Sequence, residues 1–290
     1  YKKVYKNLSI TSYKDKIYIA DNIGFIYSIN LDNGKLVWIK NHGVPIKSNI
    51  KIFNDNLFLI NQDNRLLCLD TITGSLIWDV RSISTFIKSQ SFLGLAISEI
   101  GDIFMLTSSG DLLKINSRSG RIYWSLNVTG SLSAYDTDFF KSSDIVIDES
   151  EVIFSTTSSI FSFNADNGYL NWEKKINSSN IPIISGKNIF VVTDNGYFLC
   201  IDKKSGQIIF STNILKILKK RKQETIITGF VLGSGKIYVT TLNGFLIVSS
   251  ANSGEIEYFR KIDSSITSSP IISDGSLYIL TGSPRIFGFR

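Results

Sequence analysis

The chain has 290 residues, 31 Lys and Arg against 25 Asp and Glu, a net charge of +6 at neutral pH, and a 43 % hydrophobic composition. No uninterrupted apolar stretch of about 18 residues occurs, which excludes a membrane-spanning helix. One histidine (His42) and two separated cysteines (Cys68 and Cys200) do not make a zinc-ligand pattern.

In chain order, the first unit reads as strand, hairpin turn and strand: Ile17-Tyr18-Ile19-Ala20, then Asp21 to Gly24, then Phe25-Ile26-Tyr27-Ser28-Ile29-Asn30. A glycine-to-aromatic element follows, Gly34-Lys35-Leu36-Val37-Trp38. It returns as Gly74 to Trp78, Gly120 to Trp124, Gly168 to Trp172, Gly206 to Phe210 and Gly254 to Tyr258. The aromatics stand 40, 46, 48, 38 and 48 residues apart. Those steps match four-stranded propeller blades, whose repeat runs to roughly 40 to 50 residues, and not helical repeats. The fold expected is all-β, a β-propeller. The aromatic wedges against the neighbouring blade, with an indole N–H available for a polar partner.

The hairpin turn at Gly24 has equivalents at Asn64, Gly110, Ser158, Gly196, Gly244 and Pro284, giving seven blades. The seventh unit stops at Ile286-Phe287-Gly288-Phe289 without its own outer strand. Tyr1 to Asn7, with Tyr1 near the aromatic slot, is expected to supply it, so that N- and C-terminal strands together close the ring and remove sheet edges. No linker is visible, and residues 1–290 are read as one domain. The chain opens at Tyr1 and its only methionine is Met105, so it is expected to be processed or trimmed, with any signal or anchor segment out of view.

Cys68 and Cys200 occupy the same slot in units two and five, two residues before Asp70 and Asp202, and read as buried apolar filler rather than a disulfide. Catalytic triads need a histidine or a perturbed lysine, and His42 sits beside Gly43 in a loop, where a turn role is expected. No catalytic residue and no metal site is assigned. Lys216, Lys219, Lys220, Arg221 and Lys222 are interleaved with Ile214, Leu215, Ile217 and Leu218, and this segment reads as a short amphipathic helix. Without an accompanying nucleic-acid motif, its charge suits a solvated face, anionic lipid head groups or an acidic partner, and no nucleic-acid partner is expected.

The stretch from Gly24 to Trp38 resembles the quinoprotein-type propeller repeat, and the resemblance covers essentially the whole chain. Two families share that repeat: quinone-dependent dehydrogenases, and the cofactor-free assembly factors of the BamB family. The dehydrogenases carry adjacent cysteines, an Asp base and a calcium site. This chain has no adjacent cysteines, and the aspartates available as a base, Asp144 and Asp148, read as residues at the start of a strand. Lys261 to Tyr278, with its Asp263-Ser264-Ser265, Pro270 and Asp274-Gly275 elements, is similar to the end of the BamB family. That family usually has eight blades, so seven implies a smaller ring or a blade missing at the N-terminus.

The resemblance implies a non-enzymatic scaffold without cofactor, on the periplasmic face of the Gram-negative outer membrane and held by a lipid anchor not present in this sequence. Its partner would be the POTRA domains of a BamA-like barrel subunit, and nascent outer-membrane proteins a further contact. Two inter-blade loops make the family's contact. The first carries an aliphatic residue followed by Arg; here Ile87-Lys88, preceded by Phe86, falls at the corresponding place after Trp78, with Lys keeping the charge but losing the bidentate fork. The second carries Asp-x-Asp, matched in type by Asp136-Thr137-Asp138. Phe86 and Ile87 are equally readable as the start of a core strand, Lys88 as a solvated lysine, and the Asp pair as turn carboxylates.

Overall fold

The structure, a computed structural model, describes residues 8–82, 92–129, 140–218 and 225–290. Among these, 27 strands form seven antiparallel sheets, six of four strands and one of three, each in up-and-down order. The first sheet is Leu8–Tyr13, Lys16–Asp21, Phe25–Asn30 and Leu36–Asn41. The second to sixth repeat it over 51–81, 95–127, 146–174, 183–213 and 227–261, and the seventh has three strands over 271–289. The blade pattern expected from the sequence is therefore present seven times. The closing role expected of Tyr1 to Asn7 lies outside the described residues.

Each sheet is specified locally. The residue that ends the third strand, Asn30, Asp70, Asn116, Asn164 or Asp202, turns its side-chain oxygen onto the amides that follow: Asn30 Oδ1 accepts from Asp32 and Asn33, and Asp70 Oδ1 from Ile72 and Thr73. These Asx turns hold Asp70 and Asp202 below the usual carboxylate range, chiefly through the side-chain hydrogen bonds of Thr73 and Ser205. The glycine two residues before the fourth strand then takes a positive φ, and a register shift falls just after the residue paired with the aromatic: Ser28 with Trp38, Cys68 with Trp78, Lys114 with Trp124, Cys200 with Phe210, Val248 with Tyr258. A bulge at this same place in each of these five sheets twists their fourth strands alike, and the sixth sheet carries a second irregularity between Ile227 and Gly229.

The chain divides into two compact units, 1–154 with 163–169, and 155–162 with 170–290. In the first, Tyr18, Ala20 and Ile26 of the first sheet pack on Leu57, Leu59 and Leu69 of the second, whose opposite face (Phe58, Ile60, Cys68) packs on Leu95, Ile103 and Leu113 of the third. In the second, the fifth sheet packs on the sixth through Phe190, Phe198, Val239 and Ile247, and the sixth on the seventh through Leu246, Val248, Leu277 and Ile279. Third strands such as Arg65–Asp70 are buried on both faces and so read as continuous apolar runs, while fourth strands leave Leu36, Val37, Ile208 and Ile209 exposed.

The aromatic wedge is realised with a regular partner. From the second sheet to the sixth, the glycine lies on the aromatic of the sheet before it: Gly74 on Trp38, Gly120 on Trp78, Gly168 on Trp124, Gly206 on Trp172 and Gly254 on Phe210. The indole N–H of Trp38 donates to the carbonyl of Thr71 at 3.1 Å, that of Trp124 to Asp166 at 3.1 Å and that of Trp172 to Lys203 at 2.8 Å.

Cys68 and Cys200 are free and buried, as their slot predicts, and burial pushes the Cys68 thiol up to about 12. One expectation is corrected: Asp148 ends its strand, Val146–Asp148, instead of starting it. The basic segment begins as a short 3₁₀ helix over 214–218, amphipathic as expected, with Ile214, Leu215 and Leu218 buried in the core of the fifth and sixth sheets and Lys216 exposed; Lys219, Lys220, Arg221 and Lys222 lie outside the described residues.

Candidate functional site

Phe86, Ile87, Lys88, Asp136 and Asp138 lie outside the described residues, within 83–91 and 130–139. Both segments belong to connections from the fourth strand of one sheet to the first strand of the next, 82–94 and 128–145, which are longer than their equivalents at 42–50, 175–182 and 262–270. The described residues that flank them converge on one turn of the third sheet, 107–110.

That turn is held by Asp111, a buried carboxylate at a position where the first, second, fifth and sixth sheets place Phe25, Arg65, Tyr197 and Phe245. Asp111 Oδ2 accepts from the hydroxyls of Ser109 at 2.6 Å and of Ser82, the first residue of one connection, at 3.4 Å. Its Oδ1 accepts from the side-chain amide of Asn127, which leads into the other connection, at 2.7 Å. The amide of Val128 donates to the carbonyl of Gly110 at 2.8 Å, and Gly110 lets the chain pass close: a Cβ there would fall 2.3 Å from Thr129 Cγ2 and 3.3 Å from Phe140. From the second sheet, Asn64 exchanges two 2.8 Å hydrogen bonds with Ser108, its own backbone at φ +57°. One buried carboxylate and one polar turn thus fix the roots of both connections in a common frame. Sequence reasoning passed over Asp111; the signal was a carboxylate where the repeat otherwise starts its third strand.

Asp144, considered as a base, is fully engaged: it accepts from the Leu95 amide at 2.8 Å, from Asn49 at 3.0 Å and from the Lys51 ammonium at 3.0 Å, tying three sheets of the first unit together. His42 follows the first sheet at the root of a shorter connection, its amide on the Gly24 carbonyl at 2.9 Å, and burial lowers its imidazole pKa. Among the described residues no group of three or more His, Cys, Asp or Glu is placed to hold a metal ion, and no helix is long and apolar enough to cross a membrane.

A family described as "Outer membrane protein assembly factor BamB" matches residues 9–212. The chain is 21 % identical to the outer membrane protein assembly factor BamB of Shewanella oneidensis, over 93 % of this chain and 67 % of that one. Among solved structures, BamB from Moraxella catarrhalis superposes with a TM-score of 0.80 at 12 % identity, covering 97 % of this chain and 83 % of the other. A europium-containing methanol dehydrogenase superposes at 0.75 and 11 % identity, covering 97 % and 72 %. At such identities the superpositions show a shared fold, and a fold that hosts both an assembly factor and an oxidoreductase does not choose between them.

Proposed function

The chain belongs to the family of outer membrane protein assembly factor BamB, and from that membership we propose that it is a non-enzymatic scaffold of outer-membrane barrel assembly. In this reading residues 1–290 act as one domain, because the repeat runs without a linker through both compact units. The protein works at the periplasmic face of the outer membrane, anchored by a lipidated segment outside this sequence, and the POTRA domains of a BamA-like barrel subunit are its partner. Nascent outer-membrane proteins are a further contact.

The observation that carries the reading is the family match over 9–212, and the geometry at Asp111 supports it. The two connections holding Phe86, Ile87 and Lys88 on one side and Asp136 and Asp138 on the other are rooted in one turn. One connection of aliphatic and basic composition and another of acidic composition suit a protein contact with a small apolar hot spot and charged rim. The dehydrogenase reading rests on the fold alone. Its Asp candidate Asp144 is committed to Lys51, Asn49 and the Leu95 amide, and added quinone with calcium is expected to change neither absorbance nor melting temperature.

The test is calorimetric titration of the chain with purified POTRA domains, comparing wild type with Lys88→Glu and with the double variant Asp136→Lys/Asp138→Lys. Saturable binding that Lys88→Glu abolishes is expected. No binding by a folded wild-type chain would overturn the assembly reading.

A further inference from the structure

Four Asn-Gly pairs stand in turns of the chain: Asn33-Gly34, Asn167-Gly168, Asn195-Gly196 and Asn243-Gly244. Such a pair is self-reactive, because a residue without Cβ leaves its amide nitrogen unshielded beside the carbonyl carbon of the asparagine side chain. In all four the glycine amide donates to an earlier carbonyl, Gly34 to Asn30 at 3.0 Å, and Gly168 to Asn164, Gly196 to Thr193 and Gly244 to Thr241 at 2.9 Å. Reaction requires the turn to open, so the surroundings of each glycine decide where it can proceed.

Three of these glycines are buried. A Cβ at Gly168 would fall 3.1 Å from the Trp124 ring, one at Gly196 2.2 Å from Leu215, and one at Gly244 2.0 Å from the carbonyl oxygen of Asp263. Packing this close leaves a displaced main chain nowhere to go. Gly34 is exposed, and its Cβ would meet nothing within 4 Å. The asparagine side chains separate the sites a second time. The Lys35 amide donates to Asn33 Oδ1 at 2.9 Å, as the Tyr169 amide does to Asn167 Oδ1. This Asx turn folds the side-chain carbonyl over the intervening glycine, and its donor stands where negative charge develops on Oδ1 once the carbon is attacked. Asn243 is tied in another way, its Oδ1 accepting from the Thr241 hydroxyl at 2.7 Å and its Nδ2 donating to the Thr225 hydroxyl at 3.1 Å. Of the four pairs, Asn33-Gly34 alone joins an aimed and polarised side chain to an open glycine.

We infer that Asn33 is a site of spontaneous covalent modification, converting to aspartate and isoaspartate in the native protein. The Gly34 nitrogen attacks Asn33 Cγ; the new N–Cγ bond forms as the Cγ–Nδ2 bond breaks, and the Gly34 amide proton leaves with Nδ2 as ammonia. Water then opens the cyclic imide at either carbonyl, giving aspartate or an isoaspartate whose main chain runs through the side-chain carbons. A neutral amide becomes a carboxylate, so each event lowers the net charge of +6 by one. The site is independent of the barrel-subunit reading.

The test holds the full chain in mildly alkaline buffer, once native and once in urea, and follows all four pairs by peptide mass mapping. Isoaspartate is counted by methyl transfer from labelled S-adenosylmethionine with an isoaspartyl methyltransferase. In the native chain Asn33 is expected to convert at least about tenfold faster than the other three, whereas in urea, with every turn lost, the four convert alike. Asn33→Gln should remove the native methyl-acceptor signal and Asn167→Gln leave it intact. Native conversion at Asn167, Asn195 or Asn243 as fast as at Asn33 would overturn the assignment. So would a native Asn33 that stays intact while urea converts it, or a methyl-acceptor signal that survives Asn33→Gln.

Discussion

Gly206 lies flat on the indole of Trp172: a Cβ at Gly206 would fall 2.6 Å from the ring, and the Trp172 N–H reaches the carbonyl of Lys203 at 2.8 Å. The tight turn of one sheet is thus the seat for the large side chain of the sheet before it. Because φ at Gly206 is +66°, the glycine is required twice, for backbone conformation and for space. Gly206→Ala is therefore expected to cost about 2–4 kcal/mol, combining left-handed strain with overpacking. Gly34→Ala, at φ +67° with no atom within 4 Å of its Cβ, should cost only the strain, about 1–2 kcal/mol. Urea unfolding of the two variants measures the difference, and equal losses would show that the indole contact contributes nothing.

The Lys114 and Asp102 pair is a buried charge pair whose members are safe only together. Lys114→Met should lose about 3–5 kcal/mol by leaving Asp102 uncompensated, and Lys114→Met/Asp102→Leu should recover most of it. A double-mutant cycle of unfolding free energies reads the coupling directly.

Asp263 is held at about 2 by the hydroxyl of Ser283 and the amide of Ser264. Its folded pKa lies below the ordinary 3.8, so its contribution is fully present above about 3.8 and is lost as pH falls through about 2. Asp263→Ala should accordingly melt lower than wild type at pH 7, with the gap closing between pH 4 and pH 2. A gap independent of pH over that range would mean the carboxylate charge plays no part.

Both thiols are buried, and burial raises Cys68 to about 12 and raises Cys200 as well. Ellman's reagent at pH 8 should find no fast-reacting thiol in the native chain and two in denaturant. A fast native thiol would contradict the burial of one of these slots.

Asp111→Ala removes the acceptor shared by Ser82 and Asn127, and a loss of about 1–3 kcal/mol is expected. The discriminating readout is hydrogen exchange: the amide of Val128, which donates to Gly110, should lose protection more than the amide of Ile214, its counterpart on Gly196.

The seven blade units were legible because they rest on short-range physics. An Asx oxygen, a positive-φ glycine and an aromatic lie within nine residues of one another, as in Asn30, Gly34 and Trp38, and each acts on its own segment. Even the shared slot of Cys68 and Cys200 follows from counting along a strand. The apolar side of the basic segment was legible from its spacing, but that Ile214, Leu215 and Leu218 bury it in the core under Gly196 was not, because their partners come from the fifth and sixth sheets.

What the sequence determined by itself is the repeat: the strands, their turns and the aromatic that one sheet offers the next. Tertiary structure decided where the repeat is broken for a purpose. Asp111 and Lys114 are single letters in two third-strand positions, and their meaning depends on partners brought in by packing: Ser82 from another sheet, Asn127 from across the strand pair, Asp102 beneath and Asp166 from the next sheet. Periodicity fixes which face a side chain takes. The energy of a buried charge is fixed by the groups that meet it there, and those come from parts of the chain that local pattern does not connect.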